Sequence, residues 1–174
     1  MQDGQLQIYT GNGKGKTTAA VGLSVRAAGK GLRVYFAEFI KDMEYGEISI
    51  LRNTENIDVK LYGTGNGCLI DRPLEDADTI AAKKALKEIE NIMNSNEYDV
   101  IICDELNVTM ALGILKEKDI LDFMKKKPSD IELVITGRNT TDSQIQMADL
   151  VTEMREIKHY YTTKKLLARD GIER

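Results

Sequence analysis

Cysteine and histidine are scarce in this chain, and the scarcity removes whole classes of chemistry. Its 174 residues include two cysteines and one histidine. Cys68 and Cys103 stand far apart and in no metal-ligand spacing, so neither a disulfide framework nor a zinc site is expected. A reduced, cytoplasmic setting fits that usage. The single histidine, His159, leaves no Ser-His-Asp arrangement, and no nucleophilic cysteine can be argued. No apolar run approaches the roughly 20 residues of a membrane span. No early stretch has the charged start, apolar centre and cleavage site of a signal peptide. A basic surplus is missing too: the formal charge is −4, which argues against a nucleic-acid partner. Repeats, low-complexity segments and linkers are absent, and the length suits one domain over 1–174.

What is present alternates. Five short apolar segments read as strands: Leu6 to Thr10, Arg33 to Phe39, Ile57 to Leu61, Asp99 to Cys103 and Glu132 to Thr136, with Leu150 to Met154 as a sixth candidate. Helical patterns lie between them. Ala19, Ala20, Leu23, Ala27 and Ala28 form a stripe of mostly small residues suited to close packing on a sheet, ended by Gly29-Lys30-Gly31. A longer helix begins near Pro73, where Ala82, Leu86, Ile89 and Met93 follow helical spacing. Another carries Ile120, Leu121 and Met124 and stops at Lys125-Lys126-Lys127-Pro128, where cations meet the negative helix end and proline blocks continuation. The expected fold class is α/β: an open, mostly parallel sheet of five to six strands with helices on both faces, like P-loop NTPases of the RecA type.

The first strand runs into Gly11-Asn12-Gly13-Lys14-Gly15-Lys16-Thr17-Thr18, which then opens a helix. That order is the one a phosphate-binding P-loop needs: glycines let backbone N–H groups converge, and the helix N-terminus adds partial positive charge. Lys16 is expected to reach a phosphate oxygen, and the Thr17 hydroxyl to hold a magnesium ion. In the usual spacing a glycine lies five residues before the Gly-Lys pair; here that position is Thr10, so the loop is one residue short.

In open parallel sheets, ligands bind beyond the carboxyl ends of the strands. The second strand delivers Glu38 and Lys41 there, the fourth Asp104-Glu105, and the fifth Gly137-Arg138-Asn139. An apolar strand ending in two carboxylates has the form of a Walker B element, where an acid helps hold magnesium. The same pair could equally cap the turn at Leu106-Asn107. Arg138 and Lys41 could reach phosphate or lie on the surface, and Gly63 to Gly67 could be an anion-friendly loop or a plain one. The tail over 155–174 is locally basic, with Arg155, Lys158, Lys164, Lys165, Arg169 and Arg174. Its plain reading is a solvated surface, and its sharper one is a tail that closes over an anionic ligand. His159, inside that tail, reads first as a surface residue.

Taken in order, the loop from Tyr9 to Ala20, Arg26-Ala27-Ala28-Gly29, Phe39-Ile40-Lys41, Tyr45-Gly46-Glu47, Asp104-Glu105, Thr136-Gly137-Arg138, Ala148 to Met154, Lys158-His159 and Gly171-Ile172-Glu173 resemble the ATP:corrinoid adenosyltransferases of the cobalamin-synthesis type. The likeness runs nearly end to end, and the short P-loop is itself a family mark. It implies transfer of the 5′-deoxyadenosyl group of ATP to the Co(I) of a reduced corrinoid, with release of triphosphate, in adenosylcobalamin synthesis or salvage. The nucleophile then belongs to the corrinoid, and the protein's work is alignment and charge stabilisation.

Carried over by residue, the resemblance implies that Gly11, Asn12, Gly13, Lys14, Gly15, Lys16, Thr17 and Thr18 bind the nucleotide. Asn12 would touch ribose, and Lys16 and Arg138 would stabilise the departing triphosphate. Thr17 and Glu105 would hold Mg2+, with Asp104 beside them. Lys41 would be a further cofactor-binding residue, and Asn66 and Cys68 would belong to the corrinoid side. Relatives carry an aromatic pair after a glycine there, whereas this chain reads Gly65-Asn66-Gly67-Cys68 and contains no tryptophan. The family further implies a homodimer and a reducing flavoprotein as electron donor. Two other readings remain open at this point: a P-loop ATPase or kinase that cleaves a phosphoanhydride, and an ATP-binding regulatory or partner protein without corrinoid chemistry.

Overall fold

The computed structural model of the chain describes residues 3–40, 43–63 and 73–173. Six strands pair into one sheet: β1 (Leu6–Thr10), β2 (Val34–Glu38), β3 (Ile57–Leu61), β4 (Val100–Asp104), β5 (Glu132–Thr136) and β6 (Leu150–Glu153). All neighbours are parallel, in the order β3-β2-β4-β5-β1-β6. β1, β3 and β5 have the bounds read from sequence, β2 and β4 differ from them by a residue or so at their ends, and the sixth candidate is β6, the edge strand beside β1. β2, β4 and β5 are buried along their whole length, whereas β6 is mostly exposed.

Among the described residues, seven helices connect and cover the sheet: α1 (Lys16–Ala28), α2 (Gly46–Arg52), α3 (Asp76–Met93), α4 (Leu106–Ala111), α5 (Glu117–Met124), α6 (Asp142–Met147) and α7 (Tyr160–Lys164). The pleat sorts alternate side chains of each strand to opposite faces. Val34, Phe36, Val100, Ile102 and Val134 meet α1 and α2 on one face. Tyr35, Ala37, Ile101, Cys103, Leu133 and Ile135 meet α3, α4 and α5 on the other. Phe36, Ile101 and Ile102 have no measurable exposure, and each such side chain contributes roughly 1.5–3 kcal/mol on burial.

α3 starts at Asp76 instead of near Pro73, because Glu75 forms its cap: the Glu75 N–H donates to Asp78 Oδ2 at 2.9 Å. The cations after α5 serve packing more than the helix end. Lys126 Nζ donates to Glu90 Oε1 at 2.6 Å, and Lys127 Nζ to the carbonyls of Gly4, Pro128 and Ile131 at 2.6 to 2.9 Å, tying the start of β1 to the segment before β5. Among the described residues, no helix is long and apolar enough to cross a membrane.

Strand order positions the site. β5 lies between β4 and β1, so the residues after β1, at the end of β4 and at the end of β5 meet at one edge of the sheet. Tyr9 stands opposite Thr136, and Cys103 opposite Ile135.

Candidate phosphate-binding site

β1 ends at Thr10 and α1 begins at Lys16, so the glycine-rich run spans the gap between them. β6 packs behind it: Met154 N–H donates to Thr10 O at 2.8 Å, and Gly13 N–H donates to Met154 O at 2.6 Å. This closeness explains two of the glycines. A Cβ on Gly11 would lie 2.5 Å from Met154 O, in a backbone with φ +95° that other residues rarely adopt. A Cβ on Gly13 would lie 2.6 Å from the same oxygen.

Lys16 is buried and curls back over its own loop. Its Nζ donates to Gly11 O at 2.9 Å and to Gly13 O at 2.8 Å. Burial pushes its ammonium below the ordinary lysine value; Glu105 pulls it back up, Arg138 pushes it further down, and Asp104 pulls it up again. A desolvated cation among two carboxylates and an arginine interacts strongly with any anion that reaches it.

Below the loop, Thr17, Asp104, Thr136 and Glu105 form one chain of hydrogen bonds. Thr17 Oγ1 donates to Asp104 Oδ2 at 3.0 Å, Thr136 Oγ1 donates to Asp104 Oδ1 at 2.6 Å, and Glu105 N–H donates to Thr136 Oγ1 at 2.9 Å. Asp104 and Thr136 are fully buried. With one oxygen held by Thr136, the Asp104 carboxylate is fixed with its other oxygen on Thr17. Glu105 takes a left-handed backbone, φ 57° and ψ 18°, at the N-cap position of α4. The acidic pair therefore ends a strand and starts a turn at once. A second buried network steadies the neighbouring loop: Gln144 Nε2 donates to Asn107 Oδ1 at 2.7 Å, and Asn107 Nδ2 to Thr140 Oγ1 at 2.8 Å, joining α4 to the segment that follows Arg138.

Above these groups opens a cavity of about 610 Å³, within the range typical of small-molecule sites. Of the residues singled out from sequence, Asn12, Gly13, Lys14, Gly15, Lys16, Thr17, Thr18, Glu105 and Arg138 line it. Gly11 holds Lys16 through its carbonyl and Asp104 sits behind Thr17, so both act from beneath the wall. Glu38 is buried at the end of β2 beside Asp104, with its Oε1 3.3 Å from Ile40 N, and does not line the cavity. Lys41, Asn66 and Cys68 lie outside the described residues.

The sequence reading assigns no site role to part of the wall, although its stretches are among those that carry the family resemblance. Gly46 and Glu47, at the start of α2, line the cavity opposite the loop, and so do His159, Gly171, Ile172 and Glu173 from the tail. The tail is thus more than a solvated surface. Lys14 Nζ donates to Ile172 O at 2.8 Å and to Glu173 Oε1 at 3.1 Å. Glu173 also accepts from Arg169 N–H at 2.8 Å and from the Tyr160 hydroxyl. The Arg169 and Tyr160 donors hold its carboxyl far below the usual carboxylate range. The Arg169 guanidinium lies 5.0 Å above the Tyr160 ring. The cation excess and the family-like stretches Lys158-His159 and Gly171-Ile172-Glu173 are legible in the sequence, and a tail closing over an anion is one of its readings; the docking of the tail on Lys14 is not.

Comparisons with known proteins agree with this layout. Residues 2–174 match the family model described as ATP:corrinoid adenosyltransferase BtuR/CobO/CobP. The corrinoid adenosyltransferase of Escherichia coli K12 is 31% identical over 159 residues, covering 91% of this chain and 80% of that protein. That of Pseudomonas aeruginosa is 30% identical over 171 residues, covering 98% and 83%. That of a Sinorhizobium species is 29% identical over 174 residues, covering 99% and 81%. Among solved structures, a KaiC-like protein of Pyrococcus horikoshii OT3 superposes with a TM-score of 0.57 at 13% identity, over 87% of this chain and 72% of that one. At that identity the likeness concerns the fold alone. A family match over nearly the whole length, on a P-loop α/β sheet whose loop, acidic strand end and arginine share one cavity, leads to one conclusion: the chain belongs to the ATP:corrinoid adenosyltransferase family.

Proposed function

We propose that residues 1–174 work as one nucleotide-binding unit that transfers the 5′-deoxyadenosyl group of ATP to the Co(I) of a reduced corrinoid. In this step the Co–C5′ bond forms and the C5′–O bond breaks. The electron pair of the broken bond leaves on the triphosphate. The protein supplies no nucleophile; its groups hold the two substrates in line and stabilise the charge on the leaving group.

The observation that carries this reading is the concentration of anion-binding groups in one cavity. Lys16, Lys14, Arg138 and the loop from Gly13 to Thr18 all line it. Lys16 and Arg138 would neutralise the triphosphate, the loop N–H groups would cradle it, and Asn12 would lie toward the ribose. Magnesium fits the donors beneath. Thr17 Oγ1 and the Glu105 carboxylate offer hard oxygen ligands on the cavity wall, and Asp104 Oδ2 accepts from Thr17 Oγ1 at 3.0 Å from behind it. When bound, the ion would neutralise phosphate charge. Thr17 and Glu105, both on the cavity wall, would hold it, with Asp104, fixed by Thr136, beside them behind Thr17. Asn66 and Cys68 remain assigned to the corrinoid side, and Lys41 to cofactor binding, by family resemblance. The same resemblance supports a homodimer and a reducing flavoprotein as electron donor, and the low cysteine content supports a cytoplasmic setting.

Incubation with ATP, magnesium and chemically reduced corrinoid tests the reading. Inorganic triphosphate and a light-sensitive adenosylated corrinoid should appear in equal amounts. Release of ADP and phosphate without corrinoid would replace this reading with an ATPase. ATP binding without any turnover would replace it with a regulatory nucleotide-binding protein.

A further inference from the structure

We propose that His159 is a leaving-group contact whose Nε2–H donates a hydrogen bond to the triphosphate. The proposal rests on the reading of the cavity as the triphosphate site. The tail is exposed from Arg155 to Lys158 and from Tyr161 to Ile172, but His159, Tyr160 and Glu173 are half-buried. Those three are the points at which the strap turns inward. Glu173 is bonded to Lys14 of the P-loop, and His159 itself lines the cavity opened by Lys16 and Arg138.

The backbone decides which nitrogen of the ring carries the proton. Tyr161 N–H donates to His159 Nδ1 at 3.0 Å, with His159 at the N-cap position of α7. A nitrogen that accepts cannot carry the proton of a neutral imidazole, so that proton sits on Nε2. His159 is also fixed through its carbonyl, which accepts from Thr163 N–H at 3.1 Å and Thr163 Oγ1 at 3.2 Å. The Tyr160 ring lies 4.6 Å away, centroid to centroid. With Nδ1 occupied as an acceptor, the ring that lines the cavity has Nε2–H as its donor. Two lysines and an arginine supply charge there already; a neutral donor adds direction without adding repulsion among cations. No proton has to move: the hydrogen bond strengthens as the electron pair of the C5′–O bond passes to the triphosphate.

Two conservative substitutions separate this role from capping. His159→Asn keeps an oxygen that can accept from Tyr161 N–H but removes the donor at the Nε2 position. His159→Gln reaches the Nε2 position with an amide N–H and is a poorer cap. Turnover with ATP and reduced corrinoid is measured for wild type, His159→Asn, His159→Gln and His159→Ala, together with competition by inorganic triphosphate and thermal unfolding. The expected result is a roughly ten- to hundredfold fall in kcat for Asn and Ala, weaker inhibition by triphosphate, an unchanged corrinoid KM, and substantial recovery in Gln. Wild-type turnover in His159→Asn would show that His159 only caps α7 and would overturn the proposal. Equal losses in Asn and Gln, or no loss in any variant, would overturn it too. Failure of the underlying reading is seen separately, as wild-type protein that forms no adenosylated corrinoid or is not inhibited by triphosphate.

Discussion

At the scale of single residues, the site depends on a few atoms held by their neighbours. Lys16 is where loop and carboxylates meet: its ammonium is desolvated, lies on two loop carbonyls, and is drawn to Glu105 and Asp104. Lys16→Ala should lower adenosyl transfer about 10²–10³-fold, the usual effect of deleting one preorganised group that stabilises leaving charge. Its thermal midpoint should stay close to wild type, because the removed ammonium was itself stripped of water. Steady-state kinetics and a melting curve on one preparation check both halves, and near-normal turnover would show that the loop is not used as proposed. Lys16 and Thr17 were legible in the sequence because a P-loop is a local motif. Thr136 was not legible in its role. It forms hydrogen bonds with Asp104 and Glu105, yet a threonine at a strand end has no signature until strand order puts β5 between β4 and β1.

At the scale of elements, the strap over 155–173 behaves differently from everything before it. α7 contributes no buried residue, and no residue of the strap enters the core. It is held by polar contacts: Lys14 to Ile172 and Glu173, and Arg169 and Tyr160 to Glu173. Exposed contacts of this kind contribute little to stability. A truncation ending at Glu156 should therefore melt within a few degrees of the full chain while its ATP KM rises several-fold and its kcat falls at least as far as in His159→Ala, read by calorimetry and initial rates. A large drop in melting temperature would instead make the strap part of the fold. The helix stripe of α3 was legible because Ala82, Leu86, Ile89 and Met93 repeat at helical spacing, and all four are buried. The short helices α2, α4, α6 and α7 were not, since five to seven residues are too few for a period to register.

At the scale of the whole molecule, alkaline stability follows from the tyrosines. Burial, the largest cause in each case, raises Tyr9, Tyr35, Tyr62 and Tyr98 above the ordinary phenol value of 10.0. The Tyr35 and Tyr62 hydroxyls share a hydrogen bond of 2.8 Å, and Tyr98 donates to Asp58 at 2.8 Å. The folded state thus keeps phenolic protons that the unfolded chain releases near pH 10. Above that pH the unfolded chain binds fewer protons than the native one, so unfolding becomes easier as pH rises. Stability should be flat with respect to these groups below pH 10 and should fall progressively above it. Ionisation of these four should be displaced above the ordinary phenol value and accompanied by loss of structure, which absorbance at 295 nm followed alongside circular dichroism would reveal. Simple titration of all seven tyrosines without loss of structure would contradict this.

The sequence by itself determined the α/β class, the strands, the three longer helices and the phosphate loop, because each is written in contacts between residues near one another in the chain. Apolar runs, helical periodicity and the order of glycines and Lys-Thr are all local signals. The tertiary structure alone decided which distant groups share the cavity. Parallel strand order carried Asp104 and Thr136 to Thr17, and the returning tail brought His159 and Glu173 to a loop more than a hundred residues earlier. Such meetings depend on how the sheet is ordered and where its edge lies, and no spacing between neighbouring residues encodes them.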